Sequence, residues 1–487
     1  MELPKLKKVN PNKIKKKKIL LLGDDLRLHS GVGTMSREFV LGTLEKYDWV
    51  QIGGAIDHPD KGKIIDMSQD AINLTGIEDA SIKIYPVSGY GDQNLLREII
   101  RIEKPDALIH FTDPRFWIWL YQMEHEIRQE LPILYYNIWD DLPDPKWNEN
   151  FYESCDALMA ISKQTYGINK RVRQRKPLED WQLKYVPHGI NSEIYKPIDK
   201  NSEGLHNIKK RLFGDFEPEF IIFWNNRNVR RKQPGDVIMS YKTFCDGLSK
   251  EQSEKCVLLM HTPIVDDNGT DLGEVVKNCC PQYKVVFSTD KLPASDLNLL
   301  YNIADVVVNI ASNEGFGLSG AEALLSGTPI INNVTGGLQD QCGFGYEITE
   351  TWDDEGNTTS TSKKYFTADD YVKMGSLHDL KKWKDAKGIT AGEWAIPVWP
   401  SNRSLQGSPL TPYIFDDRVS FEDVAEAILR WYLTDKDDRE KRGLAGREWA
   451  LSEGGLSAKN MCDTMVETIE GVFENWTPRE KYELIAI

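Results

Sequence analysis

The chain has 487 residues, of which 40% are hydrophobic, and it contains 36 glycines and 23 prolines. This length exceeds what one ordinary hydrophobic core supports, so we expect two domains of roughly 200 residues each. The formal net charge of −15 at pH 7 disfavours non-specific binding of most of the surface to nucleic acid or anionic lipid.

The N-terminus is basic, but the apolar stretch that follows runs only from Ile19 to Leu22. A signal peptide or a membrane span needs a longer apolar segment, so we expect a cytoplasmic protein without integral membrane contact. The seven cysteines are scattered, which favours reduced thiols over a disulfide framework. Cys279 and Cys280 have no second pair at zinc-ligand spacing, so no metal site is expected.

Short apolar runs of strand length recur through the first half of the chain. These runs are 18–25, 49–56, 82–87, 106–111, 132–140, 156–162 and 183–190. Their continuous apolarity is typical of strands buried on both faces, as in parallel sheets covered by helices. Amphipathic helices are predicted at 94–104, 116–130, 421–433 and 456–476.

The polar stretch 195–207 contains Pro197 and Gly204 and is predicted to be a linker. A second series of strand-like runs follows it, at 219–228, 255–262, 283–289, 304–312 and 328–333. Two successive β/α alternations predict an α/β protein with two doubly wound, Rossmann-like domains. Ligands of such sheets bind outside the carboxyl ends of the strands, and two facing domains would form a deep cleft.

We predict an N-terminal, acceptor-side domain over residues 1–195 and a C-terminal, donor-side domain over residues 196–435. Residues 343–392 are rich in Thr, Ser, Asp, Gly and Lys, and they interrupt the second pattern as an insertion. Residues 436–487 are predicted to form helices that pack back on the N-terminal domain.

A glycine-rich turn, Asn-Glu-Gly-Phe-Gly, joins the fourth strand of the second series to a predicted helix that ends at Gly327. The N–H groups at a helix start form an anion site, and Gly315 and Gly317 let the main chain approach a phosphate or a sugar. Glu314 lies in the turn, and Glu322 in the helix is placed to accept hydrogen bonds from a diol. An ordinary connection with two solvated glutamates is the alternative.

The segment from Ala304 to Gly337 resembles the donor-site signature of retaining, two-domain GT-B glycosyltransferases of the glycogen-synthase-like group. The resemblance covers the strand, both glutamates, the following strand and a Gly-Gly turn. It implies a GT-B architecture, with Glu314 as a catalytic residue near the donor sugar and Glu322 on the ribose hydroxyls. The donor-binding residues that it implies in this segment are Gly315, Phe316, Gly317, Leu318 and Glu322.

Enzymes of this group neutralise the donor diphosphate with an arginine and a lysine that have four residues between them. Arg227 and Lys232 have this spacing, and a guanidinium and an ammonium at the end of a strand suit a leaving diphosphate. We predict that both are catalytic. Arg230 and Arg231 are expected to form a solvated basic loop.

The first domain offers a second glycine turn, with Gly31 and Gly33 at the start of a helix. It resembles the N-terminal glycine-rich loop of the same group, which implies a donor-binding role. A dinucleotide-binding turn needs more glycines than this one has, and it also needs an acidic residue after the second strand. Asp57 meets the second requirement, so a Rossmann-type dehydrogenase is the alternative. His188, where the first domain passes into the second, is a further donor-binding candidate.

Many members of this group place a histidine in the cleft where this chain has Trp139, Asp140 and Asp141. We predict that Asp140 replaces that histidine as a catalytic residue, with the indole N–H of Trp139 as the alternative. His110 and Asp113 are further candidates on the acceptor side.

The resemblance implies transfer of a hexosyl or pentosyl group from a UDP- or GDP-linked sugar to an acceptor hydroxyl, with retention and without metal or other cofactor. The Asp-x-Asp pair Asp435 and Asp437, which a metal-dependent transferase would use, is predicted to be a solvated helix start. The acceptor is left open between a glycan, a small molecule and a modified nucleic-acid base, as in viral DNA-base transferases. A nucleotide-sugar epimerase and an inactive sugar-binding protein are the remaining alternatives.

Overall fold

A computed structural model describes residues 15–352, 358–373 and 388–480. These residues form two compact units. The described residues of the first unit are 15–111, 117–134 and 477–480, and those of the second are 112–116, 135–352, 358–373 and 388–476. The division falls at residues 134 and 135, whereas the sequence pattern places a domain boundary at residue 195.

The first unit contains a sheet of mainly parallel strands. Its strands are β1 (Lys17–Asp24), β2 (Tyr47–Gly54), β3 (Ile65–Asp66), β4 (Ile82–Pro86) and β5 (Ala107–Phe111). They are hydrogen-bonded in the order β3-β4-β2-β1-β5, and the short β3 is antiparallel to β4. The interior of β1 is fully buried, as expected for a strand covered on both faces. The four strands predicted in this region are confirmed.

Five helices accompany these strands. They are α1 (Gly31–Gly42), α2 (Ser68–Thr75), α3 (Gln93–Glu103), α4 (Ile118–Gln122) and α5 (Glu124–Ile127). The prediction of one helix over 116–130 is wrong, because the chain forms two short helices there. The N–H of Met123 bonds Leu120 O, three residues back, and this tighter turn ends α4.

Strand β6 (Ile133–Asn137) begins in the first unit and ends in the second. The second unit continues with the parallel pair β7 (Ala157–Ala160) and β8 (Leu183–Tyr185). Its first helices are α6 (Glu149–Glu153), α7 (Lys163–Val172) and α8 (Glu203–Phe213). Helix α8 begins inside the stretch predicted as a linker, because the Ser202 hydroxyl caps it by accepting the N–H of Leu205.

A six-stranded parallel sheet forms the core of the second unit. Its strands are β9 (Phe220–Asn225), β10 (Cys256–His261), β11 (Val285–Ser288), β12 (Val306–Asn309), β13 (Ile330–Asn333) and β17 (Ala395–Val398). Their order is β11-β10-β9-β12-β13-β17, and the five predicted strands of this region are confirmed. The helices of this part are α9 (Pro234–Asp246), α10 (Lys250–Ser253), α11 (Leu272–Cys279), α12 (Ala294–Ile303), α13 (Leu318–Leu325) and α14 (Leu338–Gln341).

Two small antiparallel sheets lie outside this parallel sheet. One contains β14 (Gly345–Trp352), β15 (Thr358–Tyr365) and β16 (Ile389–Thr390), and helix α15 (Ala368–Lys373) follows β15. These elements belong to the segment predicted as an insertion, and they come between β13 and β17, which pair directly. The other is a hairpin of β18 (Asn402–Ser408) and β19 (Thr411–Arg418).

Three helices close the described chain: α16 (Phe421–Leu433), α17 (Lys436–Leu451) and α18 (Ala458–Asn475). The side chain of Asp435 accepts the N–H of Asp437 and caps α17, which confirms the predicted helix start. Helix α18 packs against the region around β8, since the N–H of Gly189 meets Met461 Sδ at 3.1 Å and Lys184 pairs with Glu467.

Candidate functional site

The glycine turn between β12 and α13 is closely packed against a second glycine pair. Gly317 precedes α13 with φ = +87°, a left-handed conformation that glycine adopts without a Cβ clash. The N–H of Gly337 donates to Glu314 O at 2.8 Å. A Cβ on Gly336 would lie 2.0 Å from the same oxygen, and Gly336 also has a positive φ of 48°. The two glycine turns therefore fit together only because side chains are missing.

The carbonyl groups of the turn are held by Gln341, which is fully buried. Its Nε2 donates to Phe316 O at 2.7 Å and to Gly317 O at 2.8 Å. Its Oε1 accepts from Asn332 at 3.3 Å. In the first turn of α13 the N–H of Gly320 donates to Gly317 O at 3.1 Å. The N–H groups of Leu318 and Ser319 precede any acceptor four residues back in the helix, so the turn can present them to an anion.

Lys232 and Glu314 form a buried ion pair beside the turn, and each side chain is about 10% exposed. The 3₁₀ turn Arg230–Lys232, which follows β9, carries the lysine there. Burial, aided by the charge of Arg231, holds the pKa of Lys232 well below its usual value. The Arg231 guanidinium donates to Asn313 O at 2.8 Å and reaches Glu314 Oε2 at 3.4 Å.

The structure separates the predicted pair Arg227 and Lys232. Lys232 lies in the cluster, but the exposed side chain of Arg227 bonds Asp266 Oδ2 at 2.8 Å. Arg231 was expected to be a solvated loop residue. This is wrong, because its half-exposed guanidinium bonds the turn that contains Glu314. Sequence spacing misses this, since the conformation of the 3₁₀ turn decides which cation reaches the carboxylate.

Asp140 and Asp141 follow β6 and lie beside the same turn. A Cβ on Gly315 would lie 3.9 Å from Asp140 Cβ. Burial raises the pKa of both carboxyl groups, and for Asp141 the charge of Asp140 raises it further. The indole N–H of Trp139 donates to Asp141 O at 2.6 Å. The indole N–H is therefore already engaged with a backbone carbonyl, and the choice of Asp140 as the replacement for the cleft histidine stays a prediction.

His188 also lies against the turn. Its ring centroid is 5.1 Å from that of Phe316, and its Nδ1 is 2.8 Å from the Tyr136 hydroxyl. Burial lowers the pKa of His188 to about 3, so the imidazole is neutral at physiological pH. In the first unit, His110 is a core residue, buried and bonded to the Tyr121 hydroxyl at 2.7 Å.

Glu322 projects from α13 toward two tyrosines of the second unit. The Tyr301 hydroxyl donates to Glu322 Oε2 at 2.6 Å, and Asn225 Nδ2 donates to that hydroxyl at 2.8 Å. Burial raises the pKa of Glu322 to about 7, although hydrogen bonds from Tyr301 and Tyr195 oppose the shift. A carboxylate in this setting can accept hydrogen bonds from a diol once it is ionised.

The glycine turn of the first unit has the predicted order of strand, loop and helix. The Ser30 side chain caps α1 by accepting the N–H of Gly33 at 3.0 Å, and Gly31 is the first residue of the helix. A Cβ on Gly33 would lie 2.7 Å from Leu28 O, so the loop packs closely there. Asp57, the residue that kept a dehydrogenase open, is exposed and bonded to Lys61 at 2.9 Å.

Among residues 15–352, 358–373 and 388–480, no group of three His, Cys, Asp or Glu side chains is arranged to hold a metal ion. Within the same ranges, no helix combines the length and apolarity that crossing a membrane requires.

No family model matches the chain. It is 24% identical over 188 residues to the α-monoglucosyldiacylglycerol synthase of Acholeplasma laidlawii, a match covering 38% of this chain and 43% of that enzyme. It is 25% identical over 207 residues to the mannosylfructose-phosphate synthase of Agrobacterium fabrum, covering 40% and 41%. The chain thus spans less than half the length of these curated relatives.

Solved structures match over nearly the whole chain. The sucrose-phosphate synthase of Thermosynechococcus elongatus superimposes with a TM-score of 0.61 at 15% identity, covering 94% of this chain and all of that one. Anabaena HepE, crystallised with UDP and glucose, gives 0.59 at 10% identity, covering 93% and 99%. The chain therefore has the α/β GT-B fold, and its curated relatives and structural neighbours are glycosyltransferases of the group that its donor signature resembles.

Proposed function

We propose that this protein is a glycosyltransferase that moves a sugar from a nucleoside-diphosphate sugar to an acceptor hydroxyl. The observation that carries the proposal is the buried pair of Lys232 and Glu314 at the start of α13. A cation, a carboxylate and a helix start together offer partners for a diphosphate and for sugar hydroxyls. Relatives and neighbours support the same activity, and HepE was crystallised with UDP-glucose.

The proposed donor position follows from the charges of the site. The diphosphate would accept from the N–H groups of residues 315–318 and from Lys232, with Arg231 or Arg227 as a further donor. The anionic oxygens of a bound diphosphate would lie next to the Lys232 ammonium and would favour its charged form. The Glu322 carboxylate would accept hydrogen bonds from the ribose hydroxyls, beside the one that it already accepts from the Tyr301 hydroxyl.

We propose transfer with retention and without a metal ion, as the family signature implies. The bond from the anomeric carbon to the diphosphate oxygen breaks as the acceptor oxygen bonds that carbon from the same face. The acceptor proton passes to the departing phosphate oxygen. Lys232 and the helix N–H groups stabilise the charge that develops on that phosphate, while Glu314 and Asp140 orient the sugar hydroxyls.

The acceptor class is the open part of this proposal. We propose a glycan, a small molecule or a modified nucleic-acid base as the acceptor. We also propose that the protein acts in the cytoplasm. The lysine-rich segment 5–18 would suit a nucleic-acid acceptor, and it lies mostly outside the described residues. A DNA-base transferase would bind duplex DNA with a strong salt dependence, and this can be measured directly.

A panel of UDP- and GDP-linked sugars, scored first by thermal shift and then by release of the nucleoside diphosphate, tests the proposed function. We expect one donor to raise Tm and to release its nucleotide, with faster release when the right acceptor is added. Binding without release would support an inactive sugar-binding protein. Interconversion of sugars without an acceptor would support an epimerase. Absence of both binding and release would contradict the proposal.

A further inference from the structure

Asn313, the residue before Glu314, uses every polar atom of its side chain. Its Nδ2 donates to Asp141 Oδ1 and to Phe415 O, the latter at 2.6 Å. Its Oδ1 accepts from the Ser312 hydroxyl at 3.0 Å. The side chain is 7% exposed, so water offers little replacement for a lost partner.

The two acceptors of this amide come from distant parts of the second unit. Asp141 is 172 positions away and belongs to the acid pair after β6, while Phe415 is 102 positions away in β19 of the hairpin. The hairpin is fixed near this point, because Asp417 pairs with Arg403 and accepts from the Thr335 hydroxyl at 3.0 Å. Asn313 therefore joins three segments that have no covalent connection nearby.

We propose that Asn313 is a positioning residue that sets the distance from the acid pair Asp140–Asp141 to the carboxylate of Glu314. The inference rests on the proposed function, in which these carboxylates orient the sugar. The backbone of Asn313 is fixed as well, since its carbonyl accepts from Arg231 at 2.8 Å. A shift of this amide would move Glu314 and Asp141 apart, and displacements of about 1 Å can lower a rate about 100-fold.

Asn333 offers a matched control, because it is a second buried amide that bridges two segments. Its Nδ2 donates to Ala311 O at 2.9 Å and to Asp417 O at 2.9 Å, and it is fully buried. Both partners are backbone carbonyls, which do not titrate. Asn313 differs because one of its partners is a carboxylate.

The first experiment needs no donor and compares the thermal stability of N313A and N333A with that of the wild type from pH 5 to pH 9. The ionised Asp141 carboxylate loses its donor in N313A, so we expect the Tm deficit of N313A to grow as the pH rises. The deficit of N333A should stay constant. Parallel pH profiles for the two variants would overturn the inference.

Several charged groups lie in or next to the segments that Asn313 joins. They are Asp113, Arg115, Asp140, Asp141, Arg231, Lys232, Glu314, Arg403 and Asp417. Since both variants retain all of these groups, the difference between the two profiles isolates the bond to Asp141.

The second experiment measures turnover with the nucleotide sugar that the wild type uses fastest in the donor panel. We expect N313A to lower kcat roughly tenfold or more, with the Kd for the nucleoside diphosphate of that donor within about threefold of wild type, because Asn313 is not among the groups proposed to hold the diphosphate. In N313D a protonated carboxyl can again donate to Asp141, so its relative rate should recover as the pH falls. Wild-type kcat in N313A would overturn the positioning role alone, whereas an inactive wild type would contradict the proposed function itself.

Discussion

Lys232 and Glu314 form a buried ion pair although 82 positions separate them in the chain. Removing Lys232 leaves the buried Glu314 carboxylate to the half-exposed Arg231, 3.4 Å away, and neutralising Glu314 takes from the buried ammonium its carboxylate partner. Breaking a buried pair in this way typically costs about 3–5 kcal/mol. We therefore expect Lys232→Ala and Glu314→Gln each to lower the free energy of unfolding by an amount of this order. Urea unfolding of the two variants at pH 7 measures it.

The same two substitutions should lower glycosyl transfer by at least about 100-fold, the typical loss when one preorganised charge is removed. The exposed pair Lys277 and Glu274, 2.9 Å apart on α11, is the matched control. Lys277→Ala and Glu274→Gln should leave both stability and turnover near wild type. Near-wild-type turnover of K232A or E314Q would show that the pair is structural only.

From the raised pKa of Glu322 we predict that an increase in pH lowers stability and strengthens donor binding. Its pKa is raised from 4.5 to about 7 in the folded protein. The contribution of Glu322 to stability is thus full below pH 4.5 and is lost as the pH rises through 7. Relative to wild type, E322Q should gain roughly 3 kcal/mol between pH 4 and pH 8, from 1.36 kcal/mol per unit of pKa.

In the proposed function the ribose hydroxyls donate to the ionised form of the same carboxylate, so the wild-type affinity for the nucleoside diphosphate of the preferred donor should rise between pH 6 and pH 8. E322Q should bind that nucleotide weakly at every pH. Titration calorimetry of both proteins at three pH values, with Glu274→Gln as the control, measures this. A wild-type affinity that falls over this range would contradict the assignment of Glu322 to the ribose.

Because Gly317 has a left-handed backbone conformation, we expect that one added methyl group at this position lowers stability and donor binding. In Gly317→Ala the new Cβ would lie 2.4 Å from Leu338 Cδ2, at a φ of +87°. We expect a stability loss of about 1–3 kcal/mol and weaker binding of the preferred donor's nucleoside diphosphate, because the start of α13 must shift. Gly471→Ala, in an open position of α18, should be neutral or slightly stabilising. Thermal melts with and without that nucleotide compare the two.

The structure favours Arg231 as the second cation for the diphosphate, whereas the sequence spacing favours Arg227. Arg231 bonds the Glu314 turn, whereas Arg227 bonds Asp266. We expect Arg231→Ala to lower kcat roughly tenfold or more and Arg227→Ala to have the smaller effect. The reverse order in steady-state kinetics would mean that the donor draws Arg227 away from Asp266.

The strands and the turn before α13 could be predicted from the sequence because they depend on local pattern. Buried strands appear as apolar runs, and Gly317 and Gly327 mark where α13 begins and ends. These are signals within about ten residues of each other. The same holds for Asp435, a helix cap next to its own helix.

The contacts of Arg231 and Asn313 could not be predicted in this way. The direction of Arg231 is set by a 3₁₀ turn that ends at Gln233 with φ = +55°. The partners of Asn313 lie 102 and 172 positions away, so no spacing within the motif reveals them. Such contacts depend on tertiary packing, which a single sequence does not encode in a readable pattern.

A crystal structure of the protein with a bound nucleotide sugar tests the central claim most directly. The account predicts diphosphate oxygens within hydrogen-bond distance of the N–H groups at 315–318 and of Lys232 Nζ, with the ribose at Glu322. A diphosphate bound elsewhere, with Lys232 still paired to Glu314 and Glu322 still bonded only to tyrosine, would contradict it.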